Sequence, residues 1–491
     1  MKLEINRKDW IIERLGDFAI SEKGKKPKNQ SEIQTDEFKY PYVDIQGFEK
    51  KIFDSYTDGA KCNFCTENDF LMVWDGSRSG LVGKAVAGAI GSTLVKINLP
   101  MIENHFAYYF LKSKYLEINT NAKGTGTPHV NPDLLWNYSF PIVPTLEQKA
   151  IVAKIEQLFS ELDNGVANLK TAQAKLKIYR QAVLKKAFEG ELTKEWREKQ
   201  TNLPTADELL EQIKKEREVY YKQQLEEWKQ AVKDWEENGK NGKRPSKPSK
   251  KIQDEIFTKE NLPQGWVHCP IKNIGVIATG ATPLRGNADY WTDGSIPWIK
   301  SGALNELYVK EADEYVTKKA LDETNIKLFP IHTLLIALYG EGKTRGMCSE
   351  LLIETTTNQA IAGIIQEGLE EKTRPYLKQF LIKNYQDIRR KSSGGVQPNL
   401  NSDIVKNTLV PLCSLEEQNQ IVQEIESRLS VCDKIEETIE TSLAKSEALR
   451  QSILKKAFEG KLLSVQELEN IKNHPEYESA QALLKRIKEE R

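Results

Sequence analysis

Apolar residues recur every three or four positions over two long stretches of the chain. Ile151, Ile155, Leu158, Leu162, Val166, Leu169, Ala172, Leu176, Tyr179 and Val183 fall on one stripe of an α-helix. So do Ile421, Ile425, Leu429, Cys432, Ile435, Ile439, Leu443, Ser446, Leu449 and Ile453. Pro144 and Pro411 lie just upstream, compatible with helix starts, and Gly190 and Gly460 stand where a left-handed cap is expected. Roughly 42 residues at a rise of about 1.5 Å make a rod about 60 Å long. Each rod needs a partner for its stripe, and the other copy supplies one. The expectation is an antiparallel coiled-coil pair with an approximate twofold axis, holding two globular parts at its opposite ends.

Those globular parts read as short strands and turns. The runs Pro41–Ile45, Phe70–Trp74 and Leu94–Ile97 predict strands in the first, Ile296–Ile299 and Leu334–Leu338 in the second, with glycine-rich loops after the central strands. The fold class expected is α+β: two mixed, β-rich domains joined by two long helices with pseudo-twofold symmetry.

The symmetry is written in the residues. Leu184-Lys185-Lys186-Ala187-Phe188-Glu189-Gly190 recurs as Leu454-Lys455-Lys456-Ala457-Phe458-Glu459-Gly460, an offset of 270. At that offset 22 of 52 residues from Pro141 to Leu192 are identical, where unrelated composition gives about three. Upstream it pairs Tyr115 with Tyr385, Gly124 with Gly394, Asn131 with Asn401 and Asp133 with Asp403; nearer each start it becomes 256, pairing Trp10 with Trp266 and Pro27 with Pro283. Past the long helices, the charged segment 206–217 resembles 480–491, and only the first half adds 218–251. The expected plan is a globular domain over 1–144, a long and a short helix over 145–217, and a charged helix and linker over 218–254. A second globular domain over 255–413 and a second helical region over 414–491 complete it. Within the connection, the basic Gly/Pro/Ser stretch 238–251 lacks apolar anchors and predicts a flexible linker.

Composition narrows the class. The 71 basic and 71 acidic side chains cancel, which argues against a histone-like coat on nucleic acid while leaving local patches open. No apolar run approaches the roughly 20 residues of a membrane span, and the N-terminus has no apolar signal core, so no membrane partner and a cytoplasmic address are expected. Six scattered cysteines give no disulfide framework.

Three catalytic patterns fail on inspection. The run from Ala337 to Thr344 has the outline of a phosphate-binding loop after an apolar strand, but Arg345-Gly346 and the run Thr355-Thr356-Thr357 argue against the helix whose N-terminus such a loop needs. The first half's equivalent, Asp75 to Gly80, lacks Gly-Lys-Thr. Pro132-Asp133 with Glu147-Gln148-Lys149 imitates a metal-nuclease signature, yet its duplicate has Ser402 and Asn419 in place of proline and lysine. Cys62 and Cys65 have zinc spacing without a second pair. No glycine-rich S-adenosylmethionine loop and no Asn-Pro-Pro-Tyr pocket are present. Catalysis and metal binding by this chain are therefore not expected.

Two variable domains, each followed by a long helix ending in Leu-Lys-Lys-Ala-Phe-Glu-Gly, resemble the specificity subunit of a type I restriction-modification system. Further points of likeness are Leu262-Pro263-Gln264-Gly265-Trp266 opening the second domain, Gln397-Pro398-Asn399-Leu400-Asn401 closing it, and Leu415-Glu416-Glu417-Gln418 starting the second helix. The first half has Pro128-His129-Val130-Asn131 for the closing motif. The resemblance implies two target-recognition domains, each reading half of a bipartite, asymmetric site in double-stranded DNA. It implies helices that space the half-sites and bind two methylase subunits, joined by two motor-nuclease subunits. S-adenosylmethionine, ATP and magnesium would then sit on those partners, and this chain would be a non-catalytic subunit. The rival from another class is a coiled-coil scaffold that binds no nucleic acid.

Base edges and phosphates are met by forked donors, amides and cations on loops that approach closely. The candidates are Arg78, Lys84, Lys123, Thr125, Thr127 and His129 in the first domain. In the second they are Lys343, Arg345, Lys391, Ser392, Ser393, Gln397 and Asn399.

Overall fold

The computed structural model describes residues 7–240, 244–248, 257–340, 342–391 and 399–489. The two apolar stripes become helices of equal length, Thr145–Phe188 and Leu415–Phe458, each of 44 residues. Gly190 and Gly460 follow with φ of +75° and +73°, the left-handed cap their positions predict. Pro144 directly precedes the first helix. Pro411 belongs instead to the strand Leu409–Leu412, and Ser414 caps the second helix, its hydroxyl accepting from the Glu417 amide.

The chain divides into two units that do not follow its two halves: residues 1–172 with 438–491, and residues 173–437. Each long helix is shared between them. In the first unit the beginning of the first helix (Ile151, Val152, Ile155, Phe159) packs with the end of the second (Ile453, Leu454, Ala457, Phe458) and with Ala480, Leu483 and Ile487 of the terminal helix Ala480–Glu489. Phe458 stacks edge-on to Phe106 and Phe110 at 5.2 and 5.3 Å. In the second unit Val183, Ala187 and Phe188 meet Ile421, Val422 and Ile425, with Ala206, Leu209, Leu210 and Ile213 alongside. Phe188 stacks on Tyr376 and Phe380. In each unit the start of one helix therefore lies beside the end of the other, the antiparallel pairing that the stripes predict. Repeat-related residues make the same ion pair: Arg450 with Asp163 in one unit, Arg180 with Asp433 in the other. Tyr179, Ile435 and Leu449, placed on the stripes by spacing, are exposed.

Both domains are mixed α and β and share a topology. The first carries the antiparallel sheet Ile20–Lys23, Leu94–Asn98, Phe70–Val73, Val82–Lys84 in that order; the second carries Val276–Thr279, Ile361–Ile365, Leu334–Ala337, Cys348–Leu351, extended by Tyr308–Val309. A further sheet in each is built around a parallel pair, Tyr40–Val43 with Gly88–Ile90 and Ile296–Ile299 with Thr355–Thr357. A two-stranded ribbon ties each domain's entry to its exit: Ile11–Arg14 pairs with Ser139–Ile142, and Val267–Pro270 with Leu409–Leu412. The first predicted strand is shorter than Pro41–Ile45, because Asp44 accepts from the Gly47 amide at 2.8 Å and starts the helix Ile45–Lys50.

The boundary expected after Arg217 is not a break. The helix beginning at Ala206 runs to Glu237 without interruption, since no glycine or proline stops it. Of the stretch expected to be a flexible linker, 241–243 and 249–251 lie outside the described residues. Within the described part, Trp228 Nε1 donates to the Pro245 carbonyl at 3.0 Å, so that segment is anchored to the helix.

Candidate nucleic-acid interface

In each domain the glycine-rich loop after the central strand is the tip of an antiparallel hairpin. Phe70–Val73 returns as Val82–Lys84, and Leu334–Ala337 returns as Cys348–Leu351. A second segment of the same domain closes against each hairpin. In the first domain the Val130 amide donates to the Trp74 carbonyl at 2.9 Å and the Gly76 amide to the Pro128 carbonyl at 2.7 Å. In the second, Leu400, the repeat partner of Val130, donates to the Leu338 carbonyl at 3.0 Å. Segments about 50 to 60 residues apart in sequence thus become two loops of one surface.

Most first-domain candidates fall on that surface. Lys123 and His129 exchange backbone hydrogen bonds of 2.9 and 2.8 Å, making a small loop with the exposed Thr125 and Thr127 at its tip. His129 is half-buried at the loop's base and bridges to Asp75 of the hairpin. Lys123 Nζ lies 2.8 Å from Asp133, and the bond holds that carboxyl below the usual carboxylate range. Arg78 sits in the hairpin loop, ion-paired with Glu49, and Asp75 at the loop's start is paired with Lys23 at 2.8 Å. Lys84 stands apart from the other candidates. It lies past the hairpin tip in the returning strand, and its ammonium is 3.3 Å from Glu156 on the first long helix, so it binds the domain to its own helix.

In the second domain Lys343 and Arg345 share the hairpin loop. Lys343 is exposed, and among the described residues no acidic group pairs with its ammonium. Lys391 and Asn399 are exposed. Ser392, Ser393 and Gln397 lie outside the described residues. Sequence reasoning missed two residues that hold these loops, Asn119 and Arg389. They occupy the same repeat position but differ in type, so a search for identities passes over them.

The catalytic look-alikes resolve into structural roles. Among the described residues the chain after Ala337 returns as the strand Cys348–Leu351 and opens no helix, which a phosphate-binding loop needs. Asp133 faces Lys123, whereas Glu147 is buried in the first turn of its helix and accepts from Trp10 and Arg7. Gln148 beside it donates to the Val143 carbonyl and accepts from the Glu103 amide, both at 2.7 Å. Cys65 is buried, with its thiol near the Val86 carbonyl, and burial pushes it up to about 11. Among the described residues no three His, Cys, Asp or Glu side chains group as metal ligands would. No described helix is long and apolar enough to cross a membrane.

Known proteins share this arrangement. The sequence profile of the type I restriction modification DNA specificity domain matches residues 7–170 and again 263–445. The specificity subunit of the type I restriction enzyme EcoBI of Escherichia coli is 26% identical over 438 residues, 86% of this chain and 80% of that protein. The MjaVIII specificity subunit of Methanocaldococcus jannaschii is 30% identical over 183 residues, 37% of this chain and 42% of that one. In fold, a chain from a structural study of complex assembly and conformational transition of the type I R-M system aligns with a TM-score of 0.60 at 15% identity, covering 93% of this chain and 99% of that one. With a duplicated profile match across most of its length, the chain belongs to the type I restriction modification DNA specificity family, of which it carries two copies of the domain.

Proposed function

We propose that the two domains read the two halves of one asymmetric, bipartite site in double-stranded DNA, each through its hairpin loop and the segment that closes against it. The observation that carries this reading is the repeated backbone bond, Val130 to Trp74 and Leu400 to Leu338, which assembles the same two-loop surface twice from diverged residues. A surface built alike but furnished differently suits two modules that dock on DNA alike and read different bases. Arg78, Lys123, Thr125, Thr127 and His129 furnish it in the first domain, Lys343, Arg345, Lys391 and Asn399 in the second.

The paired long helices are the platform for two methylase subunits, with two motor-nuclease subunits completing the complex in the cytoplasm. Methyl transfer, ATP use and cleavage belong to those partners, which bring S-adenosylmethionine, ATP and magnesium; this chain selects the site.

The experiment is selection of bound duplexes from a random pool by the full chain with its methylase partners, followed by sequencing. Wild type is expected to enrich two separated motifs. Lys343→Ala with Arg345→Ala is expected to flatten one motif, weaken binding and lower its salt dependence, and to leave the other motif unchanged. Lys84→Ala, which removes the ion pair to Glu156 on the first long helix, is expected to leave both motifs intact. Absence of any enriched motif in the wild type would refute the reading and favour a scaffold that binds no nucleic acid.

A further inference from the structure

Each hairpin loop rests on a short helix that follows the sheet, and that helix reaches up to hold the loop by its carbonyls. In the first domain the helix is Tyr115–Thr120, and the Asn119 amide donates to the carbonyls of Ser77 and Ser79 at 3.0 and 2.9 Å. In the second it is Tyr385–Arg390. There Arg389 Nη2 donates to the Gly342 carbonyl at 2.9 Å, while Nη1 donates to those of Arg345 at 2.6 Å and Lys343 at 3.4 Å. The Tyr385 hydroxyl adds a bond of 2.6 Å to the Lys343 carbonyl. Asn119 and Arg389 are partners at the repeat offset of 270.

The backbones are as close as the side chains. Gly80 and Gly346, with φ of +90° and +84°, each turn toward the repeat-paired Ile118 or Ile388, and a β-carbon at Gly80 would stand 2.5 Å from Ile118 Cγ2. The loop's own bonds, Gly346 to Ala337 and Met347 to Thr344, lie at its returning end, and a planar guanidinium with five N–H groups can hold three further carbonyls in one arrangement. The Arg389 bonds hold the carbonyls of Gly342, Lys343 and Arg345 onto the helix.

We infer that Arg389 is a positioning residue for base reading by the second domain: it fixes the loop so that Lys343 and Arg345 present one geometry to DNA. Asn119 does the same for the first domain with fewer bonds. This rests on the reading that the hairpin loops touch DNA. Different tethers at one repeat position give the two loops different shapes, so the position contributes to which bases each domain prefers.

The test uses the full chain with Arg389→Leu, which keeps an apolar stem and removes every donor, and Arg389→Gln, which restores amide donors of the kind Asn119 uses. Hydrogen exchange is followed at the Gly346 and Met347 amides, which bond Ala337 and Thr344 at 2.8 and 2.9 Å. Base preference is read by selection from random duplexes. Arg389→Leu is expected to speed exchange at both amides about tenfold, with the strand Leu334–Ala337 unchanged. It should also flatten the motif that Lys343→Ala/Arg345→Ala flattens and leave the other intact, and Arg389→Gln should restore most of both properties. Unchanged exchange in Arg389→Leu would overturn the tether. Equal loss in both Arg389 variants, each lowering the salt slope by about 0.9, would reassign Arg389 to a direct phosphate contact and overturn the positioning role. Faster exchange with both motifs intact in Arg389→Leu and in the Lys343/Arg345 variant would instead refute the reading of the loop as a DNA contact. If only the Lys343/Arg345 variant lost its motif, the positioning role alone would fall.

Discussion

The indole Nε1 of Trp266 donates to Oε2 of Glu417 at 2.9 Å, with both side chains buried. Trp10 and Glu147 repeat the bond at 3.2 Å. Each carboxylate stands in the first turn of a long helix, where it complements the helix dipole, and each tryptophan opens a domain. The bond therefore locks the entry of a domain to the start of the helix that leaves it. The cations differ in origin. Glu147 is met by Arg7 at 2.8 Å, from the same domain's entry, whereas Glu417 is met by Arg197 at 3.5 Å, from the helix Lys194–Glu198 of the first repeat.

Removing that cation tests the arrangement. Arg197→Met leaves the Glu417 carboxylate buried with the Trp266 and Thr193 bonds alone, and is expected to destabilise the second unit by about 3 kcal/mol. Arg197→Met with Glu417→Gln removes the uncompensated charge and should recover more than half of the loss. Urea unfolding of the four proteins gives the coupling, and strictly additive effects would show that Arg197 does not neutralise Glu417.

Acid should weaken the second unit at a specific site. Glu350 is partly buried between Lys378 at 2.9 Å, His332 at 3.1 Å and Arg374 at 3.4 Å. Burial raises its pKa, but the bonds and charges of those neighbours outweigh burial and hold it below the usual value. A depressed carboxylate contributes stability that is full above its unfolded value of 4.5 and vanishes as pH falls through the lower folded value. The stability difference between wild type and Glu350→Gln is expected to shrink as pH falls from about 5 toward about 2. Denaturant midpoints across that range check it; a difference that grows on acidification would reverse the sign argued here.

The two left-handed caps should be equally intolerant of a side chain. Gly190 faces the ring of Pro263, and Gly460 faces the side chain of Arg7. Alanine at either position meets the same backbone penalty of about 1–2 kcal/mol. The added methyl would meet Cγ of Pro263 in one case and, in the other, Cγ of an Arg7 whose guanidinium is pinned to Asp9 and Glu147, so each substitution is expected to cost about 1 kcal/mol beyond that penalty. A much smaller melting shift for Gly460→Ala would show that Arg7 yields.

Local pattern carried the long helices, their glycine caps and the central strands, because a stripe or an apolar run is decided within a few residues. Non-local pairing was not legible. Nothing near Ile11 announces Ser139–Ile142, and nothing near Lys84 announces Glu156. The repeat itself concealed Arg197, whose counterpart is Glu467, just as it concealed the tethers Asn119 and Arg389. It also suggested a boundary after Arg217, where the second copy runs out, although the residues beyond continue as good helix formers. The hairpin loops were found because glycines mark them; which cations face outward depended on partners such as Glu49 and Glu156 that only the fold brings near.

The exchange of helix ends between units makes the last prediction. A fragment ending at Arg217 lacks Ile453, Leu454, Ala457, Phe458, Ala480, Leu483 and Ile487, which close the first unit's core over Ile151, Ile155 and Phe159. It still carries their counterparts Val183, Leu184, Ala187, Phe188, Ala206, Leu209 and Ile213, which serve that role over Ile421 and Ile425 in the second unit. All of these precede the cut, so the fragment holds both faces of the contact but cannot join them to each other within one continuous helix. A second copy can supply what is missing, each copy covering the other's Ile151–Phe159 face, and the substitutions between the two sets are conservative, Val183 for Ile453 being the main one. The fragment is therefore expected to be a symmetric dimer by light scattering and, with methylase subunits, to select an inverted repeat of one half-site. A folded monomer, or selection of the full asymmetric site, would show that the two repeats are not interchangeable in this contact.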